Sequence, residues 1–466
     1  MFKKTLAYLT ILAVVLCTPM LCLNNLSTAE GGVAVTPTTI RIGLLRDVPE
    51  VHFSVQGKYM LKNGYNGQVI AMAEPGQAYV VEPADRGNSI SLRAGGMQLG
   101  SFKGPIVLQR VTEEISITSG SGALVKRTGA HSLSAVDATG AVTSLSDNLS
   151  AYAVLSAQGT GKLVANDELH LVTLYHGGSS KRYRGDFDFR MGDAGITAIN
   201  DVPFEEYLYS VVPSEMPATW PEEALKAQAV VARTYALYSR GQYISYGFDL
   251  LATQQSQVYH GYDYEHPSTT RAVQQTQGQV LTHRDSLIMS VFHSSSGGYI
   301  GNCGEIWLQN VPYLKAKPDP YDYNDIHYKW SVTVSAQQLA NQLTSRDCEF
   351  SAVYDIQEVK RDESKSRVTS LRLVGLDAKG NPKEIVISNA DRVRTVLGLK
   401  SSLFTMDKQY DSDNKLSAVT FEGNGWGHGL GMSQYGALGM ANKGYNYQDI
   451  LQYYYTDVKL DYNYGV

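Results

Sequence analysis

Residues 40–178 set short apolar runs against Gly, Asn and Asp. Ile40-Arg41-Ile42-Gly43-Leu44, Ile106-Val107-Leu108 and Leu169-His170-Leu171-Val172 are examples. Side chains alternate faces along a strand, so the pattern predicts short, half-buried strands with a turn about every ten residues. Gly177-Gly178-Ser179-Ser180 reads as the end of that region. Strand patterning resumes over 183–189 and 196–202, and then the period changes. Thr219 is placed to cap a helix, Pro221 suits its first turn, and Glu222 and Glu223 suit its positive end. Residues 222–239 are predicted to be helical and apolar nearly all round, so that helix belongs in a core. Further on, 289–292 reads as a short buried strand and 332–399 as mixed strands and short helices. A charged loop is expected at 361–367. The chain closes with a Gly-rich loop at 423–431 and a last helix that runs toward Tyr455. The prediction is an α+β protein. A β-rich N-terminal domain over 40–178 is followed by a mixed α/β domain over 179–466.

The start of the chain has a different character. Lys3 and Lys4 precede an almost unbroken apolar stretch from Leu6 to Leu23, and Ser27-Thr28-Ala29 offers a small-residue cleavage site. Residues 1–29 therefore read as a signal peptide or a membrane anchor, and 30–39 as a linker. The expectation is an exported protein, secreted or membrane-anchored, that faces the cell wall. Cys303 and Cys348 remain beyond this leader and could pair, or could equally be a metal ligand and a bystander. With 43% hydrophobic and 18% charged residues the chain should be globular. A net charge of −5 and no Lys/Arg-rich run argue against a nucleic-acid partner. The 31 Tyr against 11 Phe and 4 Trp suit either half-wet, sugar-binding surfaces or ordinary sheet faces.

Three segments carry candidate chemistry. Lys226 and Arg233 lie seven residues apart, hence on one face of the predicted helix. Buried cations need partners, so the two read either as structural ion pairs or as groups that face a ligand. Glu215 precedes the helix between Ser214 and Met216-Pro217, where a turn could aim it at the same place. The second segment runs from Phe292-His293 through three serines to Gly297-Gly298. The third, Gly425-Trp426-Gly427-His428-Gly429-Leu430-Gly431-Met432-Ser433-Gln434-Tyr435-Gly436, would bring backbone close to a ligand or make a tight turn.

Glu215-Met216-Pro217, followed by 223–229 and Ala232-Arg233-Thr234-Tyr235, resembles the signature of the SpoIID/LytB family. Gln257-Val258-Tyr259, the 292–298 loop with Glu305-Ile306-Trp307, and the 425–436 run fit the same family in the same order. The resemblance covers about 183–459. It implies one of two activities. SpoIID-like members are lytic transglycosylases that cut peptidoglycan glycan strands stripped of stem peptides by a partner amidase, SpoIIP. They leave 1,6-anhydromuramic ends and act in sporulation and wall remodelling. LytB-like members are enhancers of a wall amidase. The resemblance makes Glu215 the catalytic acid. It puts Lys226, Arg233, His293, His428, Ser433, Gln434 and Tyr435 in the substrate cleft. Some members bind zinc through His and Cys near this loop. Here Ser256 stands where others carry Cys, and His293 with Cys303 falls short of the four ligands of a structural zinc. No cofactor is expected to be required. Neither a G-x-S-x-G elbow nor an H-E-x-x-H motif occurs, which argues against esterase or metallopeptidase chemistry.

Overall fold

The computed structural model describes residues 39–111, 114–118, 124–128, 133–136, 142–145, 169–323, 325–346 and 348–462. The predicted leader, and all of the linker but Thr39, lie outside the described residues. The fold is α+β, and it divides into two compact units, one containing Arg41–Val202 and the other Pro203–Val466. Among the described residues no helix is long and apolar enough to cross a membrane.

In the first unit a six-stranded antiparallel sheet runs in the order Ser179–Tyr183, Leu171–His176, Val51–Gln56, Tyr79–Ala84, Ser89–Ala94, Met97–Phe102. A second sheet carries Thr39–Val48, Ile196–Pro203, Asp186–Met191, Ile106–Arg110, Tyr59–Asn63 and Val69–Ala73 in that order. The period-two pattern does what it predicts. Val51, Phe53 and Val55 point inward, while His52 and Gln56 point out. Phe53 stacks on Tyr79 at 5.1 Å and on Phe189 at 4.8 Å, so the two sheets meet through aromatic rings.

The domain boundary expected after Gly178 is not where the structure divides. Gly177 and Gly178 are the two-residue turn of the hairpin that pairs His176 with Ser179. Their φ angles of 58° and 74° are the positive values such a turn demands. A glycine pair marks a tight turn as readily as a linker, and here the strands up to Pro203 complete the N-terminal unit.

The second unit opens with a helix that the sequence reading missed, α1 (Phe204–Glu215). Next comes α2 (Glu222–Tyr238), close to the predicted span. Its cap differs from expectation: Pro221, not Thr219, holds the N-cap position, and no side chain caps the helix. The missing N–H of a proline near a helix start costs no hydrogen bond, so a side-chain cap is less needed. Ala224, Leu225, Ala227, Val230 and Val231 are buried together with Leu281, Ile288, Met432, Ile450 and Tyr455. The helix is therefore enclosed, as its all-round apolar surface requires.

A second core lies within the same unit. The sheet of Trp330–Ser335, Leu416–Gly423 and Phe404–Tyr410 and the sheet of Ala352–Arg361, Val368–Leu376 and Pro382–Ser388 enclose Leu339, Ile356, Leu371, Leu373, Val393 and Phe421. The charged stretch at 361–367 includes the turn between two of these strands, tied by Asp362 to the backbone of Ser366 and Arg367. The strand expected at 289–292 shrinks to Phe292–His293, paired parallel with Met432–Ser433. The single last helix is two, Gln434–Asn442 and Tyr447–Tyr454, separated by Gly444 at φ 87°.

Candidate active site

Glu215 is the last residue of α1 rather than part of a loop. Phe204, Tyr207, Leu208, Val211 and Val212 form the buried stripe of that helix. The helix stops because Met216, fixed before Pro217, is extended. Met216 is itself buried, so the turn after Glu215 is anchored in the core. Glu215 Oε1 accepts the Val258 N–H at 2.8 Å, whereas Oε2 makes no hydrogen bond to the described residues. Tyr207 donates to Gln257 Oε1 at 3.3 Å, and Gln257 Nε2 donates to the Ala232 carbonyl at 3.3 Å, which holds Val258 in place. Burial raises the Glu215 carboxyl above its ordinary range, against the opposing pull of the Val258 N–H. Its position at the negative end of a helix acts in the same direction as burial. Tyr207 and Tyr235 both lie near enough to feel its charge, and their hydroxyls are pushed up, chiefly by burial.

The Gly-rich run reaches the backbone of Glu215 through Gln434. Its Nε2 donates to the Glu215 carbonyl at 2.9 Å and approaches Gln228 Oε1 at 3.4 Å. Tyr435 lies beside it, its ring edge-on to Trp220 at 5.0 Å and its N–H on the Ser294 carbonyl at 3.0 Å. Glu215, Gln434, Tyr435 and the 294–298 loop are therefore brought together.

The other sequence candidates have structural duties. Ser433 is fully buried and caps the helix Gln434–Asn442 through the Gly436 N–H. His428 accepts the Leu430 N–H at Nδ1 and so donates from Nε2 to the Phe292 carbonyl, both at 3.0 Å. His293 Nδ1 meets the Leu430 carbonyl at 3.0 Å. The two imidazoles brace one loop against the other, and burial keeps both neutral: His428 is pushed down to about 4 and His293 well below its usual value. Lys226 pairs with Glu223 at 2.8 Å and Glu222 at 3.4 Å at the start of α2. Arg233 is fully buried, with Nε and Nη2 on the two carboxylate oxygens of Glu205 at 2.8 and 2.7 Å. Its remaining donors reach the carbonyls of Val273 and Gln279. Of the two readings open for these cations, the structure has the ion pairs. The sequence expectation that both face a ligand is corrected for Arg233, which has no surface to offer.

Cys303 and Cys348 are both free and buried, each in a different core of the second unit. Burial pushes the Cys303 thiol up to about 11, so it is a poor metal ligand. Among the described residues no group of three His, Cys, Asp or Glu side chains is arranged to hold a metal.

One constellation escaped the sequence. Asp322, fully buried, accepts at Oδ2 from the Ser295 and Ser296 hydroxyls (2.9 and 2.8 Å) and from the Gly297 N–H (2.8 Å), and so shapes the serine loop. Asp319 beside it receives the Tyr454 hydroxyl at 3.1 Å. Only the three-residue spacing of Asp319, Asp322 and Asp325 hints at this in the sequence. Burial, reinforced by Asp322, pushes the Asp319 carboxyl up to about 7, against 3.8 in an unfolded chain. Between those values the folded state binds more protons than the unfolded one, so this group lowers stability as pH rises through that window. Asp319→Asn cannot ionise. Thermal melts at about pH 5 and about pH 8 should show a smaller fall in Tm for the variant than for the parent. Equal falls would refute the assignment.

A family model described as "Stage II sporulation protein" matches residues 192–283, which include Glu215 and α2. A family described only as a domain of unknown function matches 308–431. The amidase enhancer of Bacillus subtilis is 35% identical over 291 residues, covering 54% of this chain and 40% of that protein. Stage II sporulation protein D of Bacillus subtilis is 32% identical over 278 residues, covering 56% of this chain and 76% of that protein. Its counterpart from Bacillus amyloliquefaciens is 32% identical over 285 residues, covering 56% and 75%. The chain thus spans less than half of the amidase enhancer but about three quarters of the two sporulation proteins.

Proposed function

The chain belongs to the stage II sporulation protein D family, and from that premise we propose that it is a peptidoglycan lytic transglycosylase with Glu215 as its acid–base residue. The observation that carries this reading is the state of one carboxyl group. Burial favours its protonated form, one oxygen is held by the Val258 N–H, and the other is free of protein partners among the described residues. Such a group is positioned to deliver a proton and take one back.

The step needs no second carboxylate and no water. Glu215 gives its proton to the oxygen of the β-1,4 bond between N-acetylmuramic acid and N-acetylglucosamine. The bond from that oxygen to C1 of the muramic acid breaks, and the glucosamine leaves as an alcohol. The C6 hydroxyl of the same muramic acid attacks C1 and returns its proton to Glu215. The products are a 1,6-anhydro end and a regenerated acid. Hydrolytic glycosidases, by contrast, place two carboxylates across the bond. Gln434 fixes the last carbonyl of α1, and the Tyr435–Trp220 pair lies on the neighbouring surface. The pair is suited to orient a sugar beside the acid, while Gln434 holds the acid's backbone.

A second reading rests on the relative named amidase enhancer. In it the same site only holds glycan for a partner amidase in the wall. Incubation of the purified protein with peptide-stripped glycan strands, followed by mass spectrometry, separates the two. Shortened strands with 1,6-anhydro ends are expected. Bound strands of unchanged length would overturn the enzymatic reading in favour of the enhancer.

A further inference from the structure

Gln257 is fully buried, and so is Tyr207, the α1 residue whose hydroxyl it accepts. Burying an amide costs free energy unless its polar atoms are bonded, and a methionine of the same length fills such a space without that cost. The two bonds of this amide repair nothing else. The Ala232 carbonyl lies inside α2, where the helix ladder already supplies the Ala236 N–H. Packing therefore accounts for a long side chain at 257 but not for an amide.

The amide joins three pieces of chain. Its oxygen reaches Tyr207, about two turns before Glu215 on the same helix, and its nitrogen reaches α2. The loop that carries it has internal ties of its own. Ser256 Oγ accepts the Leu251 N–H at 3.1 Å, the Tyr259 N–H meets the Ala252 carbonyl at 3.3 Å, and the Tyr259 ring lies 5.1 Å from that of Tyr207. Gln257 fixes this loop against both α1 and α2, and the next N–H along the chain is the one on Glu215 Oε1. In a protonated carboxyl one oxygen is the acceptor and the other carries the donor proton. An N–H held on Oε1 makes Oε1 the acceptor and assigns the proton to Oε2, which has no hydrogen bond to the described residues.

We propose that Gln257 is a positioning residue for the acid: by tying Val258 to both helices it keeps Oε1 as the acceptor and leaves Oε2 as the oxygen that carries and delivers the proton. The inference rests on the acid–base reading above and names the group that aims that acid. The Val258 N–H also opposes burial in setting how firmly the carboxyl keeps its proton, and the titratable groups that face it are Tyr207 of α1 and Tyr235 of α2. Loosening the loop weakens that opposition, so the proton is held to a higher pH.

The test uses full-length Gln257→Met, which keeps the bulk and loses both bonds, and Tyr207→Phe, which loses the tie to α1 alone. Two readouts are taken on each: the pH profile of anhydro-end release, and the ¹³C NMR titration of the Glu215 carboxyl, identified by its absence from Glu215→Gln. In Gln257→Met kcat should fall roughly ten- to a hundredfold, the cost of a misaimed group, with KM within about threefold of the parent. The carboxyl should titrate at a higher pH than in the parent, and the alkaline limb of the profile should move with it. Tyr207→Phe should shift both in the same direction by less. A side chain that served only stability would lower Tm and leave the midpoint where it is. A midpoint that stays or falls in folded Gln257→Met overturns the proposal. Should that variant not fold, an unmoved midpoint in Tyr207→Phe does the same. If the parent releases no anhydro ends, the acid–base reading falls, and the carboxyl titration still decides whether Gln257 governs the state of Glu215.

Discussion

Replacing Glu215 with glutamine is expected to lower the release of 1,6-anhydro ends by about 10²- to 10⁴-fold, the usual contribution of a positioned general acid. The substitution is close to isosteric. The amide oxygen can still accept the Val258 N–H that now holds Oε1, so the end of α1 should keep its shape. Replacing a half-buried ionisable group with a neutral one also removes a desolvation cost, and Tm should not fall. Strand binding measured without turnover should stay within a few-fold of the parent. The parent's pH profile provides an independent check. The first step requires the protonated acid, and burial holds that proton to a higher pH than an ordinary glutamate would. The rate should therefore fall on the alkaline side of a midpoint that lies above the usual carboxylate range. A Glu215→Gln protein that still releases anhydro ends at the parental rate would dismiss Glu215 as the acid, whatever the binding data say.

Local signals carried the parts of this molecule that depend on neighbours in sequence. The period-two runs in the first unit are strands, and α2 lies almost where its apolar run places it. The helix α1 was legible too, since Phe204, Tyr207, Leu208, Val211 and Val212 follow the i, i+3, i+4, i+7 spacing of a buried stripe. Pro203, Pro213, Ser210 and Ser214 oppose that signal, since each is a weak helix former by local propensity. What stayed hidden depends on partners distant in the chain. Glu205 neutralises Arg233 from 28 residues away, and Asp322 collects hydrogen-bond donors from 25 to 27 residues upstream. His293 and His428, 135 positions apart, look alike as catalytic candidates until their carbonyl partners are seen. A charged residue in an apolar helix announces that it needs a partner, but not whether the partner is a substrate or another element of the fold.

Arg233 and Glu205 allow that last question to be settled by stability. Glu205→Ala should destabilise the protein by about 3–5 kcal/mol, the cost of leaving one member of a buried pair uncompensated. Arg233 has no exposed surface, so its charge cannot find water without moving α2 away from α1 and from the helix Pro267–Gln275. Arg233→Met should cost less. The Glu205 side chain is 22% exposed and can rehydrate, though the carbonyls of Val273 and Gln279 lose donors at about 1 kcal/mol each. The double variant Glu205→Leu/Arg233→Met, which removes both charges, should recover much of what Glu205→Ala loses, since a buried pair replaced by apolar groups is often near neutral. Denaturant unfolding would read this as shifts in midpoint at constant slope. If Arg233 gripped substrate instead, the pattern would invert: Glu205→Ala would cost under about 1 kcal/mol, as for an exposed pair, and Arg233→Met would abolish strand binding in a protein as stable as its parent. The bidentate geometry and the absence of exposed guanidinium surface argue for the first pattern. On that basis Arg233 belongs to the fold and offers no charge to a substrate.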